Sequence, residues 1–448
     1  MASTYDGPAK LRTRVTKTRA GVSGRKTSRW VPISGALLQK LGPGLITGAS
    51  DDDPSGIATY SQVGAQFGYG MLWTMVISYP LMAAIQEISA RVGRVTGCGI
   101  SANLRHYYPK WLMRFVIALV IIANIFNLGA DIGAMGASAQ LILPARTWIY
   151  ILFFGFVSLG LQVSVPYSRY VKYLKWLTLS LFGYVVAAFF VHISWTQVAH
   201  ETFFPKLTWS KAYLTGLIAV LGTTISPYLF FWQASQEVEE VKANRGEKAL
   251  KRAPTQAQVQ LERIRTDTYI GMALSNTVAF FIILTAANTL HATGIRDVGT
   301  AAEAAKALQP LGGRLAVVLF VCGIIGTGLL AIPVLAGSAA YAVGEACKCP
   351  TSLEKRPNQA PAFYGAVAVA TVAGIVLNFL QIDPIRALFW AAVLNGVLAP
   401  PLMAVIMHMA SSRKVMDRFT IPRYLTIAGW VATAVMFAAA IGVLVTSG

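Results

Sequence analysis

Three consecutive carboxylates, Asp51-Asp52-Asp53, run straight into Pro54-Ser55-Gly56, and all six lie inside an apolar stretch covering about 36–67. An aspartate at the centre of a membrane helix costs about 2.5–3.5 kcal/mol, so three together need compensating partners or a water-filled cavity. Pro54 removes a backbone donor and Gly56 tolerates unusual dihedrals, which breaks a helix at this point. Unwound carbonyls at membrane depth survive only where they pack in protein or line a cavity. A second segment mirrors the first: Gly216-Leu-Ile leads to Thr223-Thr224-Ile225-Ser226-Pro227-Tyr228. Both open on Gly-Leu-Ile, and the proline follows eleven residues on, against ten in the first segment. Carboxylates and freed carbonyls are hard oxygen ligands, suited to Mg²⁺, Ca²⁺ or Mn²⁺. No His, Met or Cys lies at either break, so selection of a soft metal by thiolate or imidazole has no support.

The elements that must hold these residues follow from composition. Of 448 residues 55% are apolar and 13% charged, about half the soluble norm of roughly 25%. Mean hydropathy is +0.55. A disordered chain, a coiled coil and an ordinary soluble enzyme are excluded. Apolar stretches fall near 36–67, 70–92, 112–143, 147–165, 171–193, 212–236, 268–290, 312–345, 362–381, 385–409 and 424–446. The expected protein is all-α and polytopic, with about eleven transmembrane helices. The two broken stretches are the first and the sixth. Interrupted helices at matching places in two five-helix halves point to an inverted-repeat transporter with its site at the midplane. Repeat one covers about 36–193, repeat two about 212–409, and 424–446 is an extra helix, all within one transporter domain over 31–448.

Net charge is +19. With the N-terminus placed inside and the spans alternating, 30 of the 38 Lys/Arg fall on inside segments and seven outside, with Lys40 in the first span. That split follows the positive-inside rule, with a cytosolic N-terminus and an outer C-terminus in the plasma membrane. The charge therefore reports topology and gives no reason to expect a nucleic-acid partner; no soluble partner or resident cofactor is signalled either. Residues 1–30 hold eight Lys/Arg and one acid, Asp6, without the apolar run of a secretory signal, and read as a basic cytosolic tail. Trp73, Trp111, Trp148, Trp195 and Trp209 sit near span ends, as interfacial anchors do. The four cysteines, Cys98, Cys322, Cys347 and Cys349, have no metal-site spacing and read as unpaired thiols.

Three stretches in order resemble the NRAMP family of divalent-metal transporters. Asp53-Pro54-Ser55-Gly56 stands where that family has Asp-Pro-Gly-Asn. Gln86-Glu-Ile-Ser-Ala-Arg-Val-Gly-Arg-Val-Thr-Gly97 is similar to its second-span signature, and Ala130-Asp131-Ile-Gly-Ala-Met135-Gly136 to its third. The resemblance implies a LeuT-type fold. The departures are specific. The family's metal-binding Asn aligns with Gly56. Its Met-Pro-His aligns with Ser226-Pro227-Tyr228, and a third-span Glu linked to proton movement aligns with Ala134, while the preceding Asp remains as Asp131. These losses resemble the NRAMP-related magnesium branch.

The resulting expectation is a carrier of Mg²⁺ and Mn²⁺, held partly hydrated and driven by membrane potential without obligatory proton symport. Asp53 is the expected principal ligand, direct or through water. Asp51 and Asp52 would raise local cation concentration or hold outer waters. Carbonyls near Thr223 and Thr224 and the Ser226 hydroxyl would contact the hydrate, with Gly56 and Tyr228 lining the site. Asp131 reads as a proton carrier or as a structural acid paired across helices. Asn395-Gly396 and Pro400-Pro401 are expected to break the tenth span, with Asn395 a pathway candidate. Glu87 is either a pathway acid or an i,i+4 ion pair with Arg91. Asn124 and Asn127 suit interhelical hydrogen bonds, and Glu237, Glu239 and Glu240 a solvated loop start, with an inner-vestibule position as the alternative for Glu237. The competing functions are a proton-coupled Mn²⁺/Fe²⁺ symporter, a sodium-coupled organic-solute symporter of the same fold, and a membrane enzyme holding pyrophosphate through Asp-bound Mg²⁺. That enzyme needs a second aspartate-rich motif, and no Asp pair occurs outside 51–53.

Overall fold

Helix follows helix along the chain, because in lipid only helices and closed barrels satisfy every backbone group. The structure is a computed structural model and describes residues 47–48, 51–166, 169, 177–244, 246–380 and 382–447. Its helices are α1 (Pro54–Phe67), α2 (Trp73–Thr96), α3 (Ile100–Tyr107), α4 (Lys110–Ala139), α5 (Thr147–Ser164), α6 (Phe182–Phe189), α7 (Trp195–Phe203) and α8 (Lys211–Thr224). They continue as α9 (Pro227–Ala243), α10 (Ala257–Ala286), α11 (Ala301–Ala305), α12 (Gly313–Ala346), α13 (Pro361–Leu377), α14 (Pro384–Ser411), α15 (Arg413–Met416) and α16 (Arg423–Ser447). No strand occurs among the described residues. Eight helical stretches there are long and apolar enough to cross a membrane, and a ninth arises if α1 and α2, bent 108° to one another, are taken together. The described parts of the first and fifth expected spans are α1 and α6. Residues 36–46, 49–50 and 171–176 of those two spans, and the basic tail 1–30, lie outside the described residues.

Proline after a capping residue starts α1, α9, α13 and α14, where its missing donor is not needed and its fixed φ suits the first turn. Both expected breaks are present. Residues 47–48 and 51 are helical, 52 and 53 are not, and α1 begins at Pro54. α8 stops at Thr224, Ile225 leaves helical dihedrals at φ −116° and ψ 57°, and α9 begins at Pro227. Equivalent close approaches flank the two breaks. A Cβ on Gly93 of α2 would collide with the carbonyl of Ala234 on α9, and a Cβ on Gly48 would collide with the backbone of Gly271 on α10. Each broken span thus presses its backbone against the second helix of the other repeat, as a five-plus-five inverted repeat requires.

α4 packs against α12, α13 and α14, and polar pins hold it there. Asn124 donates to Leu335 O (3.0 Å) and Ser338 Oγ (2.6 Å). Asn127 and Asn395 exchange amide hydrogen bonds of 2.8 and 3.1 Å. At one end of the bundle, Gln62 on α1 clasps the loop after α10, accepting from Val298 N at 2.7 Å and donating to Arg296 O at 3.2 Å. Arg386 on α14 pairs with Asp297 of the same loop at 2.8 Å.

Two expectations fail here. α14 runs unbroken through Asn395-Gly396 and Pro400-Pro401; inside a membrane, neighbouring helices re-satisfy the groups a proline frees. Glu237 is not solvated either: it is 0% exposed and pairs with Arg263 of α10 at 2.6 Å, while Glu240 meets the same guanidinium at 3.0 Å. A buried carboxylate needs such a partner. Trp111, Trp148, Trp195 and Trp209 are exposed, as anchors should be, whereas Trp73 is half-buried and donates to the Tyr213 hydroxyl. Among the described residues the four thiols are free.

Candidate metal centre

The first break gathers its own acid. Asp53 is the N-cap of α1, in an extended conformation at φ −72° and ψ 172°. Its Oδ1 accepts from Gly56 N at 2.8 Å and from the Ser55 hydroxyl at 2.6 Å. Aspartate is a favoured cap because it satisfies the orphan donors of the first turn, and the positive end of the helix favours its charge. Its Oδ2 accepts from the Tyr228 hydroxyl of α9 at 2.9 Å, so the two breaks meet at this carboxylate. Oδ2 takes fewer donors than Oδ1 and keeps more capacity for a cation or its water. Asp51 and Asp52 converge on one hydroxyl, Ser275 of α10, at 2.8 and 2.9 Å. Asp51, Asp52 and Asp53 are 1%, 6% and 1% exposed.

The second break uses its hydroxyls differently. Ser226 donates back to Gly222 O (3.1 Å) and Thr223 O (2.7 Å), satisfying the carbonyl end of α8. Thr224 likewise turns onto its own helix, to Val220 O at 2.9 Å. Thr223 faces the first break: its Oγ1 lies 3.4 Å from the Ser55 hydroxyl. The place a side chain on Gly56 would take is ringed by oxygen. A Cβ there would sit 3.5 Å from Thr223 Oγ1 and 3.6 Å from the Asp51 carbonyl, against the Tyr60 ring at 3.3 Å. Asp51, Asp52, Asp53, Gly56, Thr223 and Tyr228 thus come together. Thr224 offers them no side-chain contact, and Ser226 is committed to capping.

The pathway candidates separate. Asp131 on α4 is 0% exposed, and neither carboxylate oxygen has a hydrogen-bond partner among the described residues. It lies within electrostatic reach of Asp53 and Tyr228. The expectation that it is paired across helices is therefore not met. Asn395 exchanges amide hydrogen bonds with Asn127, one turn of α4 before Asp131. Glu87 pairs with Arg91 at 2.6 Å, one turn along α2. Ser275 was not singled out by the sequence: a serine within an apolar helix and outside any motif carries no spacing signal. Only the helix packing brings it to the acids.

Comparison with known proteins places this geometry. The family model described as "Natural resistance-associated macrophage protein-like", or Nramp, matches residues 44–446. The chain is 23% identical over 415 residues to the divalent metal cation transporter MntH of Deinococcus radiodurans, covering 90% of this chain and 88% of that one. It is 24% identical over 430 residues to MntH of Klebsiella pneumoniae, covering 94% and 96%. In fold it is similar to the manganese transporter of Eremococcus coleocola, with TM-score 0.74 at 15% identity over 94% of this chain and 88% of that one. MhsT in complex with L-phenylalanine follows at TM-score 0.59, 11% identity, and 89% and 98% coverage. The paired breaks thus sit on a LeuT-type scaffold, and with a match running through both repeats and the extra helix, the chain belongs to the Nramp family of membrane transporters.

Proposed function

We propose that this transporter moves divalent metal cations, Mg²⁺ and Mn²⁺ first among them, held partly hydrated at Asp53 between the broken helices. One observation carries the reading: among the described residues, the side chains hydrogen-bonded to the three carboxylates (Ser55, Tyr228 and Ser275) all offer oxygen. Hard cations match such a donor set. The relatives named divalent metal cation transporters support the class of cargo. Mg²⁺ gives up water reluctantly and is usually held through one or two carboxylates with several waters kept. Gly56 and Ser226 leave room for that water where the family has an amide and a thioether. Family membership sets aside the prenyl-diphosphate enzyme, and three carboxylates beside the break would repel the carboxylate of an organic solute.

The drive we assign is membrane potential. A unit charge crossing 100 mV gains about 2.3 kcal/mol, so a divalent ion gains about 4.6, roughly three decades of gradient. Tyr228 and Ala134 replace a His and a Glu that a proton route would use. The 30-to-7 distribution of Lys and Arg supports a plasma-membrane protein with its N-terminus inside and C-terminus outside.

Asp131 favours a second reading, proton-coupled symport, because a buried carboxylate without a partner is costly as a charge and cheap as an acid. Proteoliposome uptake of Mg²⁺, Mn²⁺ and Ca²⁺ with a lumenal pH reporter separates the two. The expected result is metal entry that follows an imposed potential, with no acidification of the lumen, and that is abolished by Asp53→Ala. Acidification in step with metal entry establishes the second reading, and unchanged uptake by Asp53→Ala removes the site.

A further inference from the structure

α10 carries none of the motifs that mark the family, yet it supplies the side chain on which two of the acids converge. Side chains one residue apart on a helical path point away from each other. Asp51 and Asp52 nevertheless reach one point, because the Ser275 hydroxyl lies 2.8 Å from Asp51 Oδ2 and 2.9 Å from Asp52 Oδ1. Ser275 is 2% exposed, and one turn earlier the Gly271 backbone is pressed so closely to Gly48 that no side chain fits between. Packing therefore fixes the hydroxyl against the acids. A hydroxyl has one proton and can donate it to one carboxylate at a time. Its equally short contact with the other requires either a proton held between them or a positive charge shared among the three oxygens. The remaining oxygen of Asp51, Oδ1, is buried and has no hydrogen-bond partner among the described residues.

We infer that Ser275 is a positioning residue for the transported cation. It draws Asp51 and Asp52 into one acidic wall beside Asp53, so that a hydrated divalent ion meets two carboxylates already in place. The inference rests on the proposed transport reading and adds a third element, α10, to the two broken spans. Without the hydroxyl the two like charges swing apart, and the cation has to order them on binding, which weakens affinity.

The test is initial-rate uptake of Mg²⁺ and Mn²⁺ into proteoliposomes by the full chain and by Ser275→Ala, Ser275→Thr and Asp53→Ala, each matched for folded protein by size-exclusion profile. A hydrogen bond to a charged group is a strong one, so Ser275→Ala is expected to raise KM about tenfold with Vmax within about twofold. Ser275→Thr, which keeps the hydroxyl, should restore KM. A purely structural serine would lower Vmax or the folded yield and leave KM alone. That outcome, or an unchanged KM while Asp53→Ala abolishes uptake, overturns the inference and spares the transport reading. Uptake insensitive to Asp53→Ala overturns both.

Discussion

The two breaks share a proline and little else. At the first, Asp53 caps forward: it accepts from Gly56 N and holds the donor end of α1, keeping a negative charge at the junction. At the second, Ser226 caps backward: it donates to Gly222 O and Thr223 O and holds the acceptor end of α8, leaving the junction neutral. The first break therefore presents a carboxylate, the group the proposed cation needs, while the second satisfies its own carbonyl end. Tyr228, just past the second proline, links the two by donating to Asp53. A pseudo-symmetric scaffold thus yields an asymmetric site because one side chain accepts where its counterpart donates.

Three variants test this division. Asp53→Asn gives the largest expected effect. Asparagine caps a helix as well as aspartate does, so thermal stability should hold. Divalent uptake at low substrate should fall about 100-fold, the upper range for losing one group that tunes a metal site. A lowered melting temperature with uptake preserved would mean that Asp53 matters as a cap and not as a charge. Next is the pair Gly56→Asn with Ser226→Met, which puts an amide and a thioether beside the acids, at the cost of displacing the Tyr60 ring. The ratio of Mn²⁺ to Mg²⁺ uptake should rise about tenfold, since a thioether is a soft ligand and the space for water shrinks. An unchanged ratio in competition uptake would uncouple selectivity from these two positions. The smallest effect is expected from Ser226→Ala, which leaves two α8 carbonyls short of a donor and costs about 1 kcal/mol of stability. Uptake should stay within about threefold of the parent, and a loss comparable to Asp53→Asn would put the two breaks on an equal footing.

The breaks were legible from sequence because carboxylates and prolines inside apolar runs violate what lipid allows, and such violations stand out locally. Asp51–Asp53 followed from that logic, Gly56 and Tyr228 from the family resemblance, the Glu87–Arg91 pair from helical spacing, and the bonding role of Asn124 and Asn127 from amides set in an apolar helix. What stayed hidden depends on which helices face each other. Ser275 is an ordinary serine until α10 is laid against the first span. Asn395 gains a partner, Asn127, only when α14 meets α4. Glu237 reads as solvated in a Glu-rich stretch, and only Arg263, 26 residues later, makes its burial possible. Pro400-Pro401 reads as a break in isolation, yet α14 continues through it among its neighbours.

The reciprocal amides of Asn127 and Asn395 have a mechanical corollary. Two groups that answer each other's donor and acceptor leave little for water or a passing ion, so α4 and α14 are riveted at a single level of the bilayer. Sliding α4 along α14 has to break both amide bonds at once, so the pair favours moving as one body.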